Sequence, residues 1–571
     1  MATLHQTFFT TAERNGDRAA LRVKRDGRYR SLTYGCLADG VRQFAAALQQ
    51  LGFTPGERVA IVAPNGPAWV IADLGTMAAG GVTVPVHGSF SPELIRHVIS
   101  HAGCRVLVVA SADLIGKLAA VAGKLPGLAH VVVVGAEPVA VGQSQVHSWE
   151  QFLASGGTLQ QPTMQGSEPA SIVYTSGTTG LPKGVVLSHA NFLSNVQASL
   201  QAVPVLPSDI FLSFLPLSHV LERMAGYYAP LTQGAEIAYA ENPATLRDNL
   251  REVRPTILIA VPRIFEKFHD GVWSKVNASA PWRRRLFMWA LKQQRGTWQH
   301  RLADRAVFAK IRHALGGWLR LAISGGASLH PPLAKFFDRL GVLILEGYGL
   351  TETSPVITVN TELQRRIGSV GKPLPGVEVK IASDKEILAR GPNVCLGYWQ
   401  DETSSRELID ADGWLHTGDL GFIDADGFLF VTGRSKEMLV TAGGKNIWPA
   451  VVENAINSDQ LVAQSMIIAH KRPCVVALIV PAWPAFLAEA AKHGWPENRQ
   501  ALCAHPGAIA FMLVRIVHAM HHLPDYEHVR KIALLPEEFS ADRDEVTPTL
   551  KLRRSVIERH YAIAISALYG R

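Results

Sequence analysis

Three observations predict an α/β protein with a second, smaller domain. The chain has 571 residues, which at roughly 100 to 200 residues per domain corresponds to about three or four domain-sized units. Apolar runs of strand length recur, separated by segments with helical patterning, as expected for buried strands in α/β architecture. Near residue 420 the texture changes to short strands punctuated by glycine.

In chain order, 34–51 reads as a helix, followed by the strands VAIVA (59–63) and VTVPV (82–86). A helical stretch at 92–102 leads into RVLVVA (105–110) and HVVVV (130–134). Next come SIVY (171–174), TILIAV (256–261), LRLAIS (319–324) and VLILEGYG (342–349), and together these runs predict several parallel sheets. Gly421, Gly427 and Gly433 punctuate short strands such as FLFVTG in a hairpin-like pattern, and the smaller domain is expected to start there. The segment 474–491 comes nearest to a membrane span, but Pro481 and Pro484 interrupt it and it is short for a crossing. We read 475–480 as a buried strand.

With 47% hydrophobic residues, 18% charged residues and a mean hydropathy of +0.11, neither disorder nor a fibrous repeat fits. The net charge of +8 is local. Residues 281–320 hold ten Lys or Arg against Asp304, which makes that stretch +9 and the remainder −1. The same stretch carries Trp282, Trp289, Trp298 and Trp318. Arginine mixed with Trp, Phe and Leu is the composition of a helix lying on an anionic bilayer; a basic helical pair with one solvated face is the other reading. The five cysteines show no metal-ligand spacing, and their odd number suits a reducing compartment. The first residues lack a basic start followed by an apolar run, so a cytoplasmic protein is expected, with membrane contact only peripheral and through 281–320.

The sharpest chemical signal is Tyr174-Thr175-Ser176-Gly177-Thr178-Thr179-Gly180-Leu181-Pro182-Lys183-Gly184. Hydroxyls, glycines and one lysine directly after a strand make a loop whose backbone N–H groups can approach phosphate oxygens. It is not a Walker A loop, because Lys183 follows proline and precedes glycine.

YTSGTTGLPKGVVLSH resembles the signature loop of the adenylate-forming (AMP-binding) enzymes. Further blocks fall in that family's order: LPLSHVLER (215–223), ISGGASL (323–329), EGYGLTET (346–353), GSVGKPLPGVE (368–378), WLHTGDLG (414–421), GRSKEMLVTAGGKNIWP (433–449) and TPTLKLRR (547–554). LPLSHVLER, VPRIFEKF (261–268), the basic insert and TPTLKLRR resemble the long-chain fatty acyl-CoA synthetase branch. The resemblance implies the adenylate-forming fold: a large multi-sheet domain, 1–433, and a small mobile α+β domain, 434–571. It also implies ATP, Mg²⁺ and CoA as cofactor and co-substrates, a fatty acid as substrate, and no nucleic-acid partner.

Residue by residue, the resemblance implies that Thr175, Ser176, Gly177, Thr178, Thr179, Gly180 and Lys183 cradle the phosphates. Glu352 and Thr178 would hold Mg²⁺, Glu352 being a hard oxygen ligand, and Thr351 would bond the α-phosphate. Gly325, Gly326, Ala327, Tyr348 and Gly349 would receive the adenine, while Asp419 and Arg434 take the ribose or phosphate. Lys436 matches the hinge about which the small domain turns. Lys551 matches the lysine that reaches the carboxylate and phosphate during adenylation; Leu550 stands where many relatives have glycine, which leaves Arg553 and Arg554 as further anion contacts. Gly443 and Gly444 would border the pantetheine of CoA. His219 is read as positioning the carboxylate or gating the acyl pocket, with core packing as the plainer alternative. An aryl-CoA ligase or a ligase loading a carrier protein would keep the same nucleotide motifs. A non-catalytic basic membrane or nucleic-acid binder is the reading from a different class.

Overall fold

The computed structural model describes residues 2–570 apart from Pro126, Pro138, 176–180, Pro243, Arg295, 436–437, His522, 541–542 and 547–551. Two large sheets dominate, one of eight strands and one of nine. In the first, Gln145–Ser148, His130–Val134, Cys104–Ala110, Arg58–Val62, Val82–Pro85 and Pro169–Thr175 run parallel in that spatial order. Connecting helices carry their own stop signals. Pro92–Ala102, for example, starts on the Ser91 hydroxyl, which accepts from the Leu94 N–H, and ends on left-handed Gly103.

Both sheets are mostly parallel, but the nine-stranded sheet is antiparallel at both edges and the eight-stranded sheet at one, which corrects the expectation of parallel sheets. Lys183–Ser188 pairs antiparallel with Pro169–Thr175, because the intervening residues are too few for the crossover that parallel pairing demands. Val356–Val359 likewise folds back antiparallel on Leu343–Gly349.

Strand alternation assigns each residue to a layer. Ile257 and Ile259 face a core shared by the two sheets and the helices Leu4–Arg14, Tyr34–Gln50, Pro67–Ala78 and His189–Ala202. Their neighbours Leu258 and Ala260 face the opposite side, against Phe265, Phe308 and Phe337. The basic stretch is a helical pair on that side: Pro281–Leu291, and Trp298–Ala303 continued through a π segment into Ala309–Ala314. Phe287, Ala290, Ala303 and Phe308 point inward.

The change of texture near 420 does not mark the smaller domain. Leu415–Ile423 and Leu429–Arg434 are the last two strands of a four-stranded antiparallel sheet that begins at Glu378–Ile381. The smaller C-terminal domain is built on three strands, with Val475–Pro481 between Val462–Ile468 and Val529–Leu534. Every residue of the central strand is buried, since helices cover both of its faces. That is why the segment reads as a continuous apolar run. Among the described residues, no helix is long and apolar enough to cross a membrane.

Candidate active site

A cavity of about 1480 Å³ opens where Pro169–Thr175, Leu321–Ser324 and Leu343–Gly349 end. Of the sequence-predicted residues, Thr175, Lys183, His219, Gly325, Gly326, Tyr348, Gly349, Thr351, Glu352 and Arg434 line it. Ser176, Gly177, Thr178, Thr179, Gly180, Lys436 and Lys551 lie outside the described residues. Leu552 and Arg553, which follow Lys551, line the cavity, and so does Arg554. Gly443 and Gly444 are exposed on the Leu439–Val440/Asn446–Ile447 hairpin and are not part of the wall. Ala327 is exposed beside Gly326.

At the phosphate end, Thr175 pairs with Lys183 across the hairpin, closing both ends of the glycine- and hydroxyl-rich segment. Lys183 Nζ lies 3.2 Å from Asp401, bonds the Ser404 hydroxyl and sits 5.1 Å over the Tyr398 ring. The Ser404 backbone N–H and hydroxyl, together with Lys183, hold the Asp401 carboxyl down to about 2. The Tyr398 hydroxyl donates to Glu352 Oε1 at 2.9 Å, so cation and carboxylate meet around one phenol ring. Gly349 is required here: a Cβ would lie 1.8 Å from the Pro355 carbonyl oxygen.

At the other end, Asp419 is buried and receives two groups. The Tyr348 hydroxyl donates to Oδ2 at 2.7 Å, and Arg434 Nε lies 2.8 Å from Oδ1. Burial pushes the Tyr348 phenol well above its ordinary range, with the Asp419 charge adding to it. Behind Tyr348, Glu346 accepts the backbone N–H groups of Leu329 and Gly368 inside the core, and burial pushes its carboxyl up to about 7. The turn after Ser324 is thereby fastened to the strand carrying Tyr348.

An apolar lane leaves this polar floor. Leu321, Ile323 and Gly325 alternate along one strand face, and Leu221, Ala225 and Ala229 follow at helical spacing; all six line the cavity. The two rows meet at Gly325, whose Cβ would approach the Leu221 side chain to 3.1 Å. Val203, Val205, Phe211 and Ile257 continue the wall. His219 stands where the lane joins the polar end, its Nδ1 accepting the Leu221 N–H at 3.4 Å.

Sequence reasoning missed several residues. Tyr398 and Asp401 lie outside the motif blocks and reach Lys183 because the two-residue strand Gly397–Tyr398 pairs with Lys183–Ser188. Arg223 is fully buried and paired with Asp73. It donates to Ser171 at 2.7 Å and to Thr83 at 2.5 Å on the central strands, and to the Tyr228 hydroxyl at 2.8 Å. It thus couples the wall of the lane to the strand that carries Thr175. Neighbouring Glu222 opens a π-helical segment, Glu222–Tyr228, and burial pushes its carboxyl up to about 8. Two charged residues side by side in LPLSHVLER, inside an otherwise apolar block, were the available signal.

The comparisons agree with this geometry. A family model for AMP-binding enzymes matches residues 8–399, and one for the AMP-binding enzyme C-terminal domain matches 436–571. The chain belongs to the AMP-binding enzyme family. Among its relatives is a long-chain-fatty-acid–CoA ligase, FadD15, of Mycobacterium bovis, 34% identical over 96% of this chain and 93% of that protein. Others are the peroxisomal long chain acyl-CoA synthetase 7 of Arabidopsis thaliana, at 32% over 100% and 87%, and human long-chain-fatty-acid–CoA ligase ACSBG1, at 30% over 99% and 85%. Among solved structures, the anthranilate CoA ligase AuaEII with anthranoyl-AMP superposes with a TM-score of 0.78 at 22% identity, covering 99% of this chain and 98% of that one. The adenylation domain of a Mycobacterium chelonae carboxylate reductase gives 0.82 at 20%, covering 100% and 91%. These two likenesses concern the fold.

Proposed function

We propose that the protein activates a medium- to long-chain fatty acid with ATP and transfers the acyl group to CoA. The observation that carries this reading is one cavity in which the Lys183–Tyr398–Glu352 cluster and the Tyr348–Asp419–Arg434 cluster flank the mouth of a long aliphatic lane. A carboxylate oxygen attacks the α-phosphorus of ATP, the bond to the β-phosphate breaks, and acyl-AMP and pyrophosphate result. The CoA thiol then attacks the acyl carbonyl, and AMP leaves. Identity to fatty acid–CoA ligases of 30 to 34% over nearly the whole chain supports the reading.

In this proposal Thr175, Ser176, Gly177, Thr178, Thr179, Gly180 and Lys183 hold the phosphates, and Thr351 bonds the α-phosphate. Gly325, Gly326, Ala327, Tyr348 and Gly349 receive the adenine. Asp419 holds the ribose with Arg434, and His219 orients the carboxylate at the lane mouth. Glu352 faces the cavity with one oxygen on Tyr398, and a single carboxylate completed by substrate phosphates suits Mg²⁺. Bound there by Glu352 and Thr178, the ion would neutralise charge on the phosphates. Lys551 acts in the first step. A turn of the small domain (434–571) against the large one (1–433) about Lys436 then brings Gly443 and Gly444 to the site for CoA. The exposure of this glycine pair, while Leu552 and Arg553 line the cavity, supports such a division of labour. The aliphatic lane favours an alkyl over an aryl acid.

Peripheral contact with an anionic membrane through 281–320 belongs to the same proposal, supported by exposed Trp282, Met288, Trp298, Leu302 and Trp318 among exposed arginines. The decisive experiment is ATP–pyrophosphate exchange with Mg²⁺ across a panel of acids, followed by CoA or a carrier protein as acceptor. Exchange with alkyl acids and thioester formation on CoA are expected; no exchange with any fatty acid would refute the proposal.

A further inference from the structure

The strands Ile257–Ala260 and Leu321–Ser324 point their C-terminal ends at the active-site cavity. At their N-terminal ends lies a second cavity, of about 310 Å³, lined by Arg251, Arg254, Lys310, His313, Ala314 and Gly316. Its walls are the C-terminal end of the helix Leu246–Val253 and the helix Ala309–Ala314 with the turn that follows it. Gly316 lets them close on each other: a Cβ there would lie 2.5 Å from the Leu250 carbonyl oxygen and 3.1 Å from the Arg254 Cα.

Most of the positive charge in this pocket has no acidic partner among the described residues. Neighbouring Arg312 pairs with Asp304, and Arg320 with Asp209. Among the described residues, Arg254, Lys310 and His313 make no ion pair, and Arg251 meets Asp248 at 3.9 Å with both side chains well exposed. Cations at helix C-termini ordinarily offset the helix dipole, but each terminus carries only about half a negative charge. Two termini and Asp248 together offset about two charges, fewer than the three of Arg251, Arg254 and Lys310. The positive field reaches further, since burial together with Arg247 and Arg251 pulls the Lys275 ammonium below its ordinary range.

We infer that this pocket binds a phosphoryl anion. Two guanidinium forks and an ammonium around one cavity suit a tetrahedral oxyanion, and the His313 imidazole adds a further ring nitrogen to the wall. Trp318, 61% exposed, follows directly on Gly316 and Gly317, a setting that suits the phosphate of an anionic lipid head group at a bilayer surface; a free phosphate is the other source of the same chemistry. The inference does not depend on the acyl-CoA reading.

The test compares the full-length protein with an Arg254→Ala/Lys310→Ala variant and with Arg283→Ala/Arg284→Ala, which removes equal charge outside the pocket. Each is sedimented with phosphatidylglycerol-containing and pure phosphatidylcholine vesicles and titrated calorimetrically with inorganic phosphate. Thermal unfolding checks that all three remain folded. Near an anionic surface each cation contributes about fivefold in partitioning, so a loss of about thirtyfold is expected from two charges. For the pocket variant the loss should extend to phosphate binding, whereas Arg283→Ala/Arg284→Ala should bind phosphate like the parent. Phosphate binding without vesicle binding, lost in the pocket variant alone, would support the site with a soluble phosphoryl source. Equal phosphate binding by the parent and the pocket variant, or no phosphate binding by the parent, would overturn the inference.

Discussion

Replacing Ala229 by phenylalanine should shorten the range of acids the protein accepts. Ala229 lines the cavity eight residues beyond Leu221, whose side chain marks the lane mouth against Gly325. At the short rise of a π-helical segment that is about 9 Å into the lane, against the roughly 13 Å that the strand covers from Gly325 back to Leu321. A phenyl ring at this depth takes the place of the far end of a long chain. In transfer terms a Phe side chain equals about three methylenes at ~0.8 kcal/mol each, so a long acid loses about 2.4 kcal/mol of binding, about sixtyfold in kcat/KM. An acid too short to reach Ala229 loses nothing. The assay is acyl-CoA formation across saturated acids from hexanoate to stearate, with hexanoate as the internal control for folding. Overpacking costs typically about 1–3 kcal/mol of stability, which thermal unfolding measures separately. A parallel fall for hexanoate and palmitate, or no change for either, would refute the assignment of this lane to the acyl chain.

Lys551→Ala should slow adenylation by at least about a hundredfold while thioester formation from supplied acyl-AMP continues; equal loss of both steps, followed by quench kinetics, contradicts the two-arrangement mechanism. Arg223→Met leaves Asp73 charged and buried with two tyrosine hydroxyls as its remaining donors, so urea denaturation should show a loss of about 3–5 kcal/mol. Arg223→Met/Asp73→Leu should recover much of that loss, and a single variant as stable as the parent would sink the claim. Glu222 carries a folded-state pKa raised to about 8 from 4.5, so the folded chain keeps a proton that the unfolded chain has released. Its contribution to stability is therefore complete below about pH 4.5, declines as pH rises toward 8 and levels off above. Glu222→Gln should match the parent at pH 4.5 and exceed it by a few kcal/mol at pH 8.5; urea midpoints that differ by the same amount at both pH values would show that Glu222 does not titrate this way.

The segments that proved legible are those whose physics is local. HVVVV became the strand His130–Val134, and the helix at 92–102 begins and ends on its own serine cap and left-handed glycine. Thr175 and Lys183, the ends of the hydroxyl- and glycine-rich segment, pair across a hairpin and line the cavity. The blocks around Gly325, Tyr348, Glu352 and Arg434 each named a residue that the fold brings to one cavity. A misreading came where a segment's meaning depends on its neighbours: the glycine-punctuated strands near 420 belong to a sheet begun at Glu378. The apolar run at 475–480, by contrast, is the buried strand that its composition predicts, with helices on both faces.

The sequence by itself determined the α/β class, the order of the motifs and the kinds of chemistry they carry. Periodicity, capping and loop composition act over a few residues and survive in a linear reading. Only the tertiary structure decided which charges meet and where apolar surface encloses space. Asp73 finds Arg223 across 150 positions, and Tyr398 bridges Lys183 and Glu352 only because a two-residue strand joins the edge of a sheet. The aliphatic lane is a gap between a strand and a helix, neither of which encodes it alone. Coulombic pairing and enclosure are properties of distance in space, and distance along the chain carries little information about them.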